Sequence, residues 1–318
     1  MTVNRRQWLE LTAGAGVALA LPSGLGLAAG NRPLLHRPIP SSGELIPVVG
    51  LGSSATFREV AQSADFTALR EVLAAMVDQG ATVFDTAPGY GASEAVAGRI
   101  ASDLGITDKL FWATKVNVAP RGGGTADPAA ARDQIDESFR RIGVETMDLI
   151  QVHNLGDIPM QLGILQQLKK ARRIRYVGVT STSKRQYPQL ERVMREEPLD
   201  FIGVDYAVDN RDVEESILPL AQERKIAVMV YVPFGRTRLF QRVGDRPLPD
   251  WAAEFGAASW AQFFIKYVLA HPAVTVVTPA TAKVKHMIDN IGGGIGRLPD
   301  AAVRRRMVEL IDGLPPVS

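Results

Sequence analysis

The chain contains no cysteine, which excludes disulfides, thiolate nucleophiles and cysteine-ligated zinc and leaves the fold indifferent to the redox state of its compartment. Charge of one dominant sign is also missing. The 36 basic residues nearly cancel the 34 acidic ones, for a net charge of +2, so nothing indicates a nucleic-acid partner or a strongly anionic surface. The apolar run from Leu11 to Leu21 is too short to span a bilayer comfortably. No Gly-x-Gly-x-x-Gly follows an early strand, which argues against a doubly wound dinucleotide fold. The cluster Gly122-Gly123-Gly124 lacks the Lys-Ser/Thr ending of a phosphate-binding loop and reads as linker. Gly292-Gly293-Gly294 reads as the end of a helix. Apolar material, by contrast, is ample: 46% of 318 residues are hydrophobic, enough for one large core.

The N-terminus reads as an address. Asn4-Arg5-Arg6-Gln7-Trp8-Leu9 precedes the short apolar run, and the small pair Ala28-Ala29 follows it. The wording resembles the twin-arginine signal, which exports proteins already folded. Residues 1–29 are therefore expected to be a signal peptide and residues 30–46 an N-terminal extension, with residues 47–318 forming one folded domain. The expected location is periplasmic or otherwise exported. The twin-arginine export machinery is the implied partner, and no stable membrane insertion is expected after cleavage.

From Pro47 onward, short β-branched runs alternate with segments of helical apolar spacing, the pattern of a parallel sheet wrapped by helices. Candidate strands cover residues 48–51, 82–85, 110–115, 147–153, 176–179, 201–204, 227–232 and 274–278. Helical spacing covers 66–79, 128–142, 160–170, 186–195, 213–223, 259–270 and 283–290, with an added helix near 301–310. Eight strands with no break in composition longer than a loop predict a single-domain (β/α)8 TIM barrel of the α/β class.

In such a barrel the C-terminal strand ends converge on one mouth. Asp85 closes the second candidate strand, Lys115 the third and His153 the fourth, while Tyr90 lies five residues past Asp85 in a Pro-Gly turn. Each alone has an ordinary structural explanation: a solvated strand-end lysine, a hydrogen-bonded core histidine, an aspartate capping the next helix. Their occurrence on three consecutive strands and the intervening turn points to shared chemistry. A phenol with a pKa of about 10 becomes a usable acid beside an ammonium group. Lys115 would supply that charge, Asp85 would hold Lys115, and His153 would orient a carbonyl and share the hydrogen bond to the Tyr90 phenol. Since no side chain donates a hydride, a reduced nicotinamide must. The reaction is carbonyl to alcohol or its reverse, and no metal site is expected.

Four segments carry a family resemblance. Phe84-Asp85-Thr86-Ala87-Pro88-Gly89-Tyr90-Gly91, with Ser93-Glu94 and Gly98, resembles the signature of the aldo-keto reductases. Ala113-Thr114-Lys115-Val116 resembles their lysine strand and Asp148-Leu149-Ile150-Gln151-Val152-His153 their histidine strand. The segment from Val228 to Gly235 resembles the one whose tyrosine, here Tyr231, stacks on nicotinamide. The likeness runs from about Val48 to Asn290 and implies a barrel that binds NADPH, with NADH possible, in extended form across its mouth.

By the same resemblance, Thr180, Ser181, Tyr231, Phe234, Thr281, Lys283, His286, Asp289 and Asn290 fall at cofactor-binding positions. The wording departs at several of them. Thr180-Ser181 replaces a common Ser-Asn, Gly203 stands where a glutamine usually helps hold the nicotinamide carboxamide, and Ala280 and His286 replace a lysine and an arginine that neutralise the extra phosphate of NADPH. Lys283 and Lys285 are candidate substitutes for that lysine and arginine, and equally read as a solvated helix start. Phe57, Leu155, Phe240 and Trp251 are candidate apolar walls for a small carbonyl substrate, or core packing. A second functional reading remains open, a nucleotide-binding barrel acting as a sensor or partner subunit with little turnover.

Overall fold

The computed structural model describes residues 33–120 and 124–315. The expected signal peptide and the linker glycines Gly122 and Gly123 lie outside these described residues. The chain order is β1 (His36–Pro38), β2 (Leu45–Pro47), β3 (Leu51–Gly52), α1 (Thr56–Ala61), α2 (Thr67–Asp78), β4 (Val83–Asp85), α3 (Ser93–Leu104), β5 (Phe111–Val116), α4 (Pro128–Ile142), β6 (Met147–Val152), α5 (Ile158–Lys170), β7 (Ile174–Ser181), α6 (Tyr187–Glu196), β8 (Phe201–Asp205), α7 (Ile217–Glu223), β9 (Ala227–Tyr231), α8 (Arg238–Val243), α9 (Trp260–Leu269), β10 (Val274–Val277), α10 (Val284–Gly292) and α11 (Ala301–Asp312).

Strands β3 to β10 form one eight-stranded parallel sheet in sequential order. The sheet nearly closes on itself as a barrel through the bridges Val49↔Val277 and Gly52↔Ala280. The seam brings backbones very close. A Cβ on Gly50 would lie 2.5 Å from the Val83 carbonyl oxygen, and one on Gly52 would lie 2.6 Å from that of Thr278. Side chains at these positions would hold the first strand off both neighbours, so glycine is needed there. The expected strand over 48–51 is thereby displaced to Leu51–Gly52, with Val49 paired only at one bridge.

Local signals fix several helix ends. Asp127 caps α4 by accepting from the Ala129 amide, with Pro128 in its first turn and Gly143 left-handed just past its end. Ser259 and Asp300 cap α9 and α11 in the same way. The expected helix over 213–223 begins only at Ile217, after a short 3-10 turn over Asp212–Glu214. The triple glycine does end α10.

Side chains alternate across each strand. Val83, Phe111, Ala113, Leu149, Tyr176, Phe201, Ala227, Met229 and Val276 pack together as one buried cluster, which is the barrel interior. Their neighbours, such as Phe84, Trp112, Ile150, Val177, Ile202 and Val228, join the larger cluster under the helices. The residues expected to be an N-terminal extension do more than lead into the barrel. From His36 on they form the β1–β2 hairpin, whose Ile39 and Ile46 are buried in the interior cluster. Arg37 donates to the carbonyls of Leu269, His271 and Val274 and so fastens the hairpin to the end of α9. The lower end of the barrel is an apolar floor.

Candidate active site

The same inward alternation, continued toward the C-terminal strand ends, turns polar. Two residues beyond Val83 stands Asp85, two beyond Ala113 stands Lys115, two beyond Leu149 stands Gln151 and two beyond Met229 stands Tyr231. Asp85 and Lys115 are 3% and 2% exposed. The Lys115 ammonium donates to both Asp85 carboxylate oxygens, at 2.7 and 2.8 Å, and to the Thr86 carbonyl at 2.8 Å. All three N–H donors of an ammonium are thus in use, the arrangement of a charged lysine facing a carboxylate. Burial works against the Lys115 charge, but Asp85 and then Tyr90 outweigh it and hold its pKa above the ordinary value. Burial likewise pushes the Asp85 carboxyl up, against the pull of Lys115.

Tyr90 lies half-buried over this pair. The Lys115 nitrogen is 5.3 Å from its ring centroid, and the His153 ring stands edge-on at 6.0 Å. The structure therefore brings Asp85, Tyr90, Lys115 and His153 together. It differs from expectation in one respect: His153 meets Tyr90 only edge-on, without the expected hydrogen bond to the phenol, while Lys115 spends its donors on Asp85 and Thr86 and acts on the phenol as a charge through space. Among the described residues no protein hydrogen bond reaches the Tyr90 hydroxyl. Burial, reinforced by the nearby Lys115 charge, lowers the His153 pKa to about 4, so the imidazole is neutral at physiological pH and able to donate one N–H.

His153 begins a strained loop. Asn154, Leu155 and Asp157 all have positive φ, a conformation that non-glycine residues adopt at a cost and that recurs at functional sites. The loop is fastened from several sides. Asn117 donates to the His153 carbonyl at 2.7 Å, the Asn154 amide donates to Thr180 at 3.1 Å, and Gln186 donates to the Asn154 carbonyl at 3.0 Å. Ser181 donates to Gln186 at 2.9 Å. Both hydroxyls expected at the cofactor thus serve to hold the His153 loop.

The remaining expected positions fall into separate groups. Thr281 is buried and accepts from the Lys283 amide, while Lys283, Lys285 and His286 are exposed at the start of α10. Burial first, and then the charges of Lys285 and Lys283, lower the His286 pKa. Asp289 accepts from Ser259 and Gln262, each at 2.8 Å, and Asn290 is buried. Phe234 packs 5.0 Å from Phe240.

The four candidate wall residues, each open to core packing as well, take different places in the fold. Phe57 is fully buried and packs edge-on against Phe84, on the outer face of the sheet. Leu155 is buried. Phe240 and Trp251 pack with Phe264 and Phe263 of α9. Phe57 and Leu155 are taken up by the core, where burial removes their whole apolar area from water, whereas Phe240 stays exposed and Trp251 half-buried beside the aromatic cluster of α9.

Sequence reading missed the part played by Gln151 and by the Tyr231 hydroxyl. Gln151 donates to that hydroxyl at 2.9 Å, the hydroxyl donates to Asp85 at 3.2 Å, and the Gln151 carbonyl oxygen is buried without a partner. A signal existed: Gln151 stands two residues before His153 and two after Leu149, in step with the inward alternation of its strand.

Residues 48–306 match the Aldo/keto reductase family. The chain is similar to aldo-keto reductase str7 of Strobilurus tenacellus, 27% identical over 271 residues that span 74% of this chain and 80% of that relative. Its fold is similar to that of aldo-keto reductase AKR11C1 from Bacillus halodurans in the holo form, with TM-score 0.70 and 21% identity, covering 87% of this chain and 96% of the other. It is also similar to an aldo-keto reductase from Klebsiella pneumoniae in complex with NADPH, with TM-score 0.71 and 22% identity over 90% and 96% of the two chains. With a family match over most of its length and a parallel barrel whose mouth carries the buried Asp85–Lys115 pair beside Tyr90 and His153, this chain belongs to the aldo/keto reductase family of oxidoreductases.

Proposed function

We propose that the protein interconverts a small aldehyde or ketone and its alcohol, with NADPH as the preferred dinucleotide and Tyr90 as the group that exchanges a proton with the substrate oxygen. The observation that carries this reading is the placement of Lys115, held by Asp85 and Thr86, 5.3 Å from the ring of a half-buried Tyr90 whose hydroxyl has no protein partner among the described residues. Bound reduced dinucleotide supplies the hydride that the substrate carbon receives. As negative charge grows on the substrate oxygen, Tyr90 passes its proton there. The phenolate left behind is stabilised by the Lys115 charge, which Asp85 and the Thr86 carbonyl hold in place. The neutral His153 donates an N–H toward the same oxygen and fixes the orientation of the carbonyl. In the oxidative direction the same groups work in reverse.

Two features fit a dinucleotide. The partly exposed Tyr231 ring offers an aromatic face, and the Gln151 carbonyl oxygen, buried without a donor, suits a ligand bearing an amide N–H, as nicotinamide does. Lys283 and Lys285, at a helix start without an acidic residue in its first turn, favour the additional phosphate of NADPH over NADH. The pair Arg5-Arg6 ahead of a short apolar run supports export of the folded protein by the twin-arginine route.

The decisive variant is Tyr90→Phe. It is expected to lower kcat for carbonyl reduction by about 10²–10⁴-fold with dinucleotide affinity nearly unchanged, measured by steady-state kinetics and fluorescence quenching. Undiminished reduction would remove Tyr90 as the donor. Tight dinucleotide binding by the parent protein without reduction of any carbonyl in a broad panel would favour a sensor role instead. Replacing Arg5 and Arg6 together by lysine is expected to leave the protein in the cytoplasm, as read by cell fractionation; unimpaired export would rule out the twin-arginine route.

A further inference from the structure

The ammonium of Lys115 has two phenols beside it, at nearly equal distances. Its nitrogen lies 5.3 Å from the Tyr90 centroid and 5.1 Å from that of Tyr231. The second ring reaches this place because of what β8 leaves out. A Cβ built on Gly203 would lie 2.4 Å from Tyr231 Cε2 and 2.7 Å from its hydroxyl oxygen. The ring therefore rests directly on the β8 backbone, and no residue with a side chain could occupy position 203 without pushing it away.

From that seat the Tyr231 hydroxyl uses both of its hydrogen-bonding capacities. It donates to Asp85 Oδ1 at 3.2 Å and accepts from Gln151 Nε2 at 2.9 Å. Asp85 Oδ1 also receives Lys115 at 2.7 Å, so the carboxylate is gripped from two strands. The residue after Tyr231, Val232, is held at φ +55°, a costly conformation for a β-branched residue.

We propose that Tyr231 is a positioning residue for proton transfer, its hydroxyl setting the field that the Asp85–Lys115 pair imposes on Tyr90, with Gly203 as the seat that makes this contact possible. This rests on the reading of Tyr90 as proton donor. The two phenols are inequivalent. Burial and the facing Asp85 carboxylate push the Tyr231 pKa well above the ordinary value, so it keeps its proton and acts as a fixed dipole. The positive end of that O–H dipole points at Asp85 and offsets part of the carboxylate's negative field at Tyr90. Without it, the same Lys115 charge is more fully cancelled and the Tyr90 phenolate is less stabilised. The charged or titratable groups around this point are Asp85 from β4, Lys115 from β5, neutral His153 beyond β6 and Tyr231 from β9. Glu94 of α3 also acts on Lys115 and is itself bonded by Thr114 and Arg141.

The test is Tyr231→Phe, which keeps the ring and removes only the hydroxyl. Tyr90 ionisation is followed in the dinucleotide-free protein as the tyrosinate absorbance difference between each protein and its Tyr90→Phe counterpart. The expected result is a Tyr90 titration moved up by about half a pH unit or more, with the basic limb of kcat moving the same way. In addition kcat should fall about tenfold while dinucleotide affinity stays within about twofold. Gly203→Ala, which displaces the ring by a different route, is expected to move the titration in the same direction. A Tyr90 titration identical in parent and Tyr231→Phe overturns the role of Tyr231 whatever the proton donor. A Tyr90→Phe protein that keeps its rate overturns the donor assignment instead.

Discussion

Val83, Phe111, Leu149, Phe201, Ala227 and Val276 at one end of the barrel interior, and Asp85, Lys115, Gln151 and Tyr231 a turn of the pleat or two further along, share strands and face. The lower set is apolar, sealed by Ile39 and Ile46 of the hairpin, and stabilised by removal of hydrocarbon from water. Almost any well-packed apolar set would serve there. The upper set buries an ion pair, a phenol and an amide, whose desolvation consumes much of what their mutual attraction returns. Such a set contributes little net stability; what it supplies is a fixed charge at a fixed place.

That contrast can be attacked at its strongest point with Lys115→Met. Leaving Asp85 buried without its partner is expected to destabilise the fold by about 3–5 kcal/mol, whereas the double change Asp85→Leu with Lys115→Met should recover most of that loss without restoring reduction. Urea unfolding measures both, and a single variant as stable as the double one would show that the pair is not desolvated as described.

A smaller effect is expected from acid. His153 has a folded-state pKa of about 4 against an ordinary 6.5, so between those values the unfolded chain binds the extra proton and the folded one does not. Stability is therefore lost as pH falls from about 6.5 to about 4, by about 3 kcal/mol for this residue. His153→Gln should flatten that part of the stability-against-pH curve, and an unchanged slope would show that His153 charges freely in the folded state.

The smallest effect concerns the floor. Arg37→Ala leaves the carbonyls of Leu269, His271 and Val274 without their donor, at a cost of about 1–2 kcal/mol. Kinetic constants should not change; a variant whose kcat falls while its melting temperature holds would mean that the two ends are coupled.

Much of this was legible in the chain itself. The strands beginning at Phe111, Met147, Phe201 and Ala227 stand within a residue of their expected starts, because β-branched runs between helical segments are a local pattern. Asp85, Lys115 and His153 were legible for a similar reason, each being a polar residue at the end of an apolar run, and Tyr90 by its place in the Pro-Gly turn just past Asp85. The hairpin was not, since strands of three residues with Pro38 and Pro47 at their ends carry no periodicity. Nor could Phe57 or Trp251 be told from pocket walls, because an apolar side chain beyond a strand end carries no mark of which surface will claim it.

The amino-acid order alone pointed to a parallel barrel with an acid, a lysine and a histidine where its early strands end and a tyrosine in the turn between, since hydrophobic period and strand-end polarity depend only on near neighbours. Where the Lys115 donors go, that Thr180 and Ser181 serve a loop, and that Tyr231 lies down on Gly203 to reach Asp85 were decided by the fold. Those facts depend on distances between strands far apart along the chain, and such distances exist only once the sheet has curled around and its backbones have come within ångströms of one another.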